Sequence, residues 1–74
     1  MSEQTSERLL TAQKLGAKLA LSKRQVHRLN SAGRIPKPLR IGGSVRWSET
    51  TINCWLQAGA PDRKTFEMMQ ETQQ

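Results

Sequence analysis

Within seven residues, Ser22 to Arg28, the chain places Lys23, Arg24, His27 and Arg28 beside the hydrogen-bonding side chains of Ser22 and Gln25. Arginine and lysine in that density supply donors for phosphate oxygens, and an arginine fork matches the O6/N7 edge of guanine. A second group, Arg40, Ser44 and Arg46, sits around a Gly42-Gly43 pair. Arg34 and Lys37 lie between the two groups. Other chemistry finds little to build on. One histidine and one cysteine, Cys54, allow neither a zinc quartet nor an internal disulfide. There is no nucleophile-base pair, no His-carboxylate set and no phosphate loop, so the chain reads as a non-enzyme with no cofactor and no metal. With 35% apolar residues in a 74-residue chain, little material is left to line a deep pocket, and no small-molecule substrate is expected.

The charge distribution sharpens this. From Arg8 to Ser48 there are ten basic residues and no Asp or Glu, within a net charge of +6. Solubility alone usually mixes the signs, whereas a polyanionic partner favours one sign on one body. Nothing approaches a membrane-spanning apolar run, and the polar, acidic start Met1-Ser2-Glu3 is unlike a secretory leader. The expected location is the cytoplasm, with double-stranded DNA as the partner and no membrane.

Positioning these side chains requires short elements in a fixed order. Residues 1–7 form a lead-in, residues 8–59 a DNA-binding domain, and residues 60–74 a C-terminal extension, partly helical or disordered. A first helix is expected from the Thr11 cap through Ala20, with Ala12, Leu15 and Leu19 on one face. Gly16 inside it suggests a close neighbour or simple tolerance. After a turn at Leu21, Ser22 and Gln25 have capping-box spacing and open a second helix to about Ala32, ended by Gly33. Val26 and Leu29 mark its inner side, so Arg24, His27, Arg28 and Ser31 face outward, with Lys23 at the edge. Two helices joined this tightly match a helix-turn-helix.

After a proline-stiffened connector, Leu39-Arg40-Ile41 and Val45-Arg46-Trp47 each alternate apolar and basic, the pattern of a hairpin or wing. A three-residue loop is preferred. It would pair Leu39 with Trp47 and Ile41 with Val45 on one face, and set Arg40 opposite Arg46 on the other. Ser48 then caps a helix through about Ala58, with Ile52, Trp55 and Leu56 inward and Gly59 at its end. Trp47 and Trp55 are expected in the core. Pro61 and Asp62 open a short last helix to Met69 or beyond, with Glu71 to Gln74 frayed; Phe66 and Met69 either pack back or form a patch for a partner.

The ordered set Leu10-Thr11, Ser22-Lys23-Arg24-Gln25-Val26-His27-Arg28-Leu29, Gly33-Arg34-Ile35-Pro36, Leu39-Arg40-Ile41-Gly42-Gly43, Val45-Arg46-Trp47 and Ile52-x-x-Trp55-Leu56 resembles the excisionase and AlpA-type family of small prophage regulators, relatives of the MerR DNA-binding domain. The resemblance runs from Leu9 to Leu56. It implies a mainly helical winged helix-turn-helix of three to four helices with a two-stranded wing. The second helix would enter the major groove, and the wing would grip backbone or minor groove. Ala20 stands where glycine is common, although alanine can occupy the same turn, and His27 stands where tyrosine is frequent.

Site expectations follow. Ser22, Lys23, Arg24, Gln25, His27 and Arg28 are candidate major-groove contacts, with capping alone as the alternative role of Ser22 and Gln25 and plain exposure as that of His27. Arg40, Ser44, Arg46, Arg34 and Lys37 are candidates for backbone or wing contact. The leading function is an excisionase, a recombination directionality factor that bends attachment-site DNA so that an integrase (tyrosine or serine recombinase) excises the element, with further copies of itself on adjacent sites. An AlpA-type transcriptional regulator is the alternative, and a protein-binding adaptor of winged-helix fold is a third.

Overall fold

The computed structural model describes residues 8–72, so the lead-in over residues 1–7, together with Gln73 and Gln74, lies outside the described residues. The elements run β1 (Leu9–Leu10), α1 (Ala12–Leu19), α2 (Lys23–Ser31), β2 (Leu39–Ile41), β3 (Ser44–Ser48), α3 (Glu49–Gln57) and α4 (Arg63–Thr72). This is a winged helix-turn-helix, mainly helical, with a small antiparallel sheet.

Each of the first three helices begins where its cap residue predicts. The Thr11 hydroxyl accepts from the Lys14 amide at 3.1 Å, and the Ser48 hydroxyl accepts from the Thr51 amide at 3.2 Å. Ser22 and Gln25 close the expected capping box, with the Ser22 amide donating to Gln25 Oε1 at 2.9 Å and the Gln25 amide to Ser22 Oγ at 3.1 Å. α1 ends at Leu19, because Ala20 takes a left-handed conformation (φ 60°, ψ 39°), the conformation for which glycine is usually selected. Gly16 has the close neighbour its position suggested. A Cβ there would stand 2.5 Å from the Leu21 carbonyl oxygen, and the Leu21 amide donates to Gly16 O at 2.7 Å. Glycine lets the inter-helix turn close directly onto α1.

The sheet corrects two expectations. Its strand order is β1-β3-β2, so a third strand, Leu9–Leu10, flanks the hairpin, with Leu10 opposite Trp47 and Leu9 opposite Ser48. The hairpin register is not the preferred one: Leu39 pairs with Arg46, Arg40 with Val45 and Ile41 with Ser44. The loop is therefore Gly42-Gly43 alone, with Gly42 at φ +61°, and two-residue loops entered by a positive-φ residue carry the twist that antiparallel strands need. Arg40 and Arg46 consequently do not face each other, which removes a like-charge pair. Nor do four apolar residues share one face. Trp47 meets Leu10 instead, while Leu39 and Ile41 are left 48% and 52% exposed.

Leu10, Ala12, Leu15, Val26, Ile35, Trp47, Ile52, Trp55 and Phe66 form one core, with Leu19, Leu29 and Val45 packed against it. Both indoles are buried, as expected, and each satisfies its N–H with a carbonyl, Trp47 on Pro36 at 3.0 Å and Trp55 on Pro61 at 2.6 Å. Leu56, expected inward, is exposed, since it lies about 100° beyond Trp55 around α3 and the core ends at that indole. The Asp62 carboxylate accepts from the Thr65 amide at 2.9 Å and opens α4, whose helix includes Glu71 rather than fraying there. Of the two residues left open, Phe66 packs back into the core, whereas Met69 is 37% exposed.

Candidate nucleic-acid interface

Among the described residues no charged or polar side chain is buried, so the cations of this basic chain lie at its surface. The fold then sorts them. α2 sinks Val26 fully and leaves Lys23, Arg24, His27 and Arg28 exposed, because a helix turning about 100° per residue carries them away from its apolar stripe. Ser22 and Gln25 are engaged in the cap, where their oxygens accept and the Ser22 hydroxyl hydrogen and Gln25 amide hydrogens remain chemically available as donors.

The first turn of α2 and the wing meet around an open groove of about 400 Å³. Its walls include Lys23 and His27 from α2, and Gly43, Ser44, Val45 and Arg46 from the wing. Thr11, Ala12 and Gln13 at the start of α1 form the third side. Arg46 is half-buried, and its guanidinium donates to the Val45 carbonyl at 2.9 Å, which steadies the side chain along the strand. The groove thus joins two segments that lie about twenty residues apart, and it carries cations from both and no carboxylate.

The remaining candidates are placed elsewhere. Arg24 and Arg28 are exposed on α2 but outside that groove. Arg40 is exposed on β2, on the opposite hairpin face from Arg46. Arg34 is exposed beyond the C-terminus of α2, close enough to Asp62 to help hold its carboxyl below the usual aspartate range, an effect due first to the hydrogen bonds from Thr65. Lys37 lines a separate depression with Pro36, Thr51, Phe66, Glu67 and Gln70. The fold therefore gathers Lys23, His27, Ser44 and Arg46 and leaves Arg34 and Lys37 apart from them.

Two other cations are compensated. Arg8 and Lys18 each approach the Glu49 carboxylate at 3.8 Å. Gln13 was not among the expected contacts; its only sequence cue is a polar side chain two residues after a helix cap, too common to single it out. Among the described residues no group of three His, Cys, Asp or Glu could hold a metal, and no helix is long and apolar enough to cross a membrane.

No curated protein and no solved structure matches the chain significantly. The family model described as Prophage CP4-57 regulatory protein (AlpA) matches residues 8–60, which span β1 through the turn after α3 and contain both walls of the groove. The chain belongs to the AlpA family of prophage regulatory proteins.

Proposed function

We propose that this protein binds duplex DNA at specific sites and regulates genes of a prophage or related integrative element, without chemistry of its own. The observation that carries this is the open groove shared by α2 and the wing, with a cation on each side and no carboxylate in its lining. α2 would lie in the major groove with Arg24 and Arg28 toward base edges and Lys23 and His27 toward the flanking strand. Ser44 and Arg46 would hold the adjacent backbone. The family match favours the regulatory role over the excisionase role preferred from sequence. Excision would use the same contacts at an attachment site, with an integrase as partner.

Footprinting across the promoters and attachment sites of the element that encodes the protein tests both. Protection confined to promoters, with a change in transcript, is the expected result. Protection of repeated sites beside the attachment core, with DNA bending and joint complexes with the integrase, would establish the excision role instead. Absence of any site-selective protection at moderate salt would overturn the DNA-binding reading.

A further inference from the structure

His27 is the only histidine in the chain, and the fold sets it in the groove between α2 and the wing. It is exposed there, one helical turn after Lys23, and Arg46 lines the groove from the wing. The start of α1 contributes Thr11, Ala12 and Gln13, none of which titrates, and no carboxylate lines the groove. The other charged neighbours along α2, Arg24 and Arg28, are cations too. The Arg46 guanidinium uses one N–H on the Val45 carbonyl, and its remaining donors are chemically available to a ligand.

Imidazole is the one side chain whose ordinary titration falls between about pH 5 and 8. As an imidazolium, His27 would donate from both ring nitrogens, yet it would also add a third cation to a groove with nothing to offset it. A phosphate between the two walls supplies that offset. Anion and proton therefore favour each other's arrival, and such coupling is reciprocal. The tyrosine frequent at this place in similar sequences would stay neutral over the same range, so the coupling belongs to this chain. Resting on the DNA-binding reading above, we propose that the groove is a proton-linked phosphate site, in which Lys23, Arg46 and protonated His27 together hold one phosphate of the duplex backbone. Binding then takes up a proton, and affinity rises as the pH falls through the histidine range.

The test measures affinity of the full chain at about pH 7.0 and about pH 5.5, an interval in which carboxylates, thiols and amines largely keep their charge. It uses a duplex recovered from a randomised pool and a scrambled one. The parent should bind both roughly fivefold more tightly at the lower pH. Its salt slope should steepen there by up to about 0.9, the increment of one further phosphate contact. His27→Gln should show neither change, whereas His27→Lys, charged at both pH values, should hold the tighter binding throughout. Equal affinity of the parent at the two pH values, or a response that survives in His27→Gln, would overturn the inference and leave the DNA-binding reading standing. A response confined to the recovered duplex would put the imidazolium on a base edge and also overturn it. Failure to retain either duplex at any pH would remove the DNA-binding reading and this inference together.

Discussion

The Arg63 guanidinium donates to the side-chain oxygen of Asn30 at 2.7 Å and to the Asn30 carbonyl at 3.2 Å. The same side chain donates to the Ile35 carbonyl at 3.0 Å, and the Arg63 amide to Gly33 O at 3.0 Å. The first residue of α4 thus binds the C-terminal end of α2 and the connector that follows it. The Asn30 carbonyl, in the last turn of α2, carries part of the negative charge of a helix terminus, which a cation stabilises. Arg63→Ala should lower stability by about 2 kcal/mol in urea titration, the scale of a charged donor removed from several acceptors. Lysine should restore less than half, having a point charge in place of a planar fork. An alanine variant with the parent's urea midpoint would show that these bonds do not persist in solution.

The turn between α1 and α2 predicts two substitutions of opposite sign. Alanine at Gly16 would gain about 1 kcal/mol of helix propensity but must displace a backbone carbonyl at 2.5 Å. The overpacking dominates, and Gly16→Ala should destabilise by roughly 1–3 kcal/mol. Ala20 holds φ 60°, so Ala20→Gly should relieve about 1 kcal/mol of left-handed strain. Thermal unfolding of both variants checks the pair. A stabilised Gly16→Ala would mean that the turn opens readily and does not fix the inter-helix angle.

These two positions also show what was legible in advance. Thr11, Ser22 and Ser48 announced three helices because a cap is local: its side chain satisfies a backbone donor three residues on. The outward set on α2 was legible for the same reason, since it follows from helical spacing around Val26. The hairpin register was not. Alternation of apolar residues suggested that Leu39 belonged inside, but the competitor for Trp47 was Leu10, and a two-residue strand leaves no periodicity to read. The two-glycine turn decided the register against the apolar pattern, and it separated Arg40 from Arg46. Arg63 lay beyond reach, because its partners Asn30 and Ile35 are joined to it only by the tertiary fold.

Asp62 links α4 to pH. Its hydrogen bonds to Thr65, chiefly, and the nearby charges of Arg34 and Lys64 hold its carboxyl below the ordinary value of 3.8. A depressed pKa in the folded state means that the contribution is fully present above the unfolded value and is lost as pH falls through the folded one. Protection of the first-turn amides of α4, taken relative to the unfolded chain at the same pH, should therefore fall as the pH drops below about 4. Asparagine caps without titrating, so Asp62→Asn should abolish this acid limb while leaving neutral-pH protection similar. The same acid response in both proteins would place the sensitive group elsewhere.

Arg28 tests base reading. It is exposed near the outward centre of α2 and has no acidic partner in an ion pair among the described residues. If its fork reads guanine, Arg28→Ala should cost about 1–3 kcal/mol on the cognate duplex and less on a scrambled one. Competition titrations against both duplexes measure the difference. Equal losses would reduce Arg28 to a phosphate contact.

Arg40 and Arg46 make a different prediction, because their expected partners are phosphates rather than bases. Each phosphate neutralised releases a condensed counterion, so binding weakens with salt by a slope of about −0.9 per contact on a log-log plot. Arg46→Ala and Arg40→Ala should each weaken cognate and scrambled duplexes alike and reduce that slope by about one. The two side chains occupy opposite hairpin faces, so if each meets its own phosphate the double variant should lose the sum of the two slopes. An unchanged slope for Arg40→Ala beside a reduced one for Arg46→Ala would mean that a single face of the wing, the one that carries Ser44 and Arg46, meets the backbone.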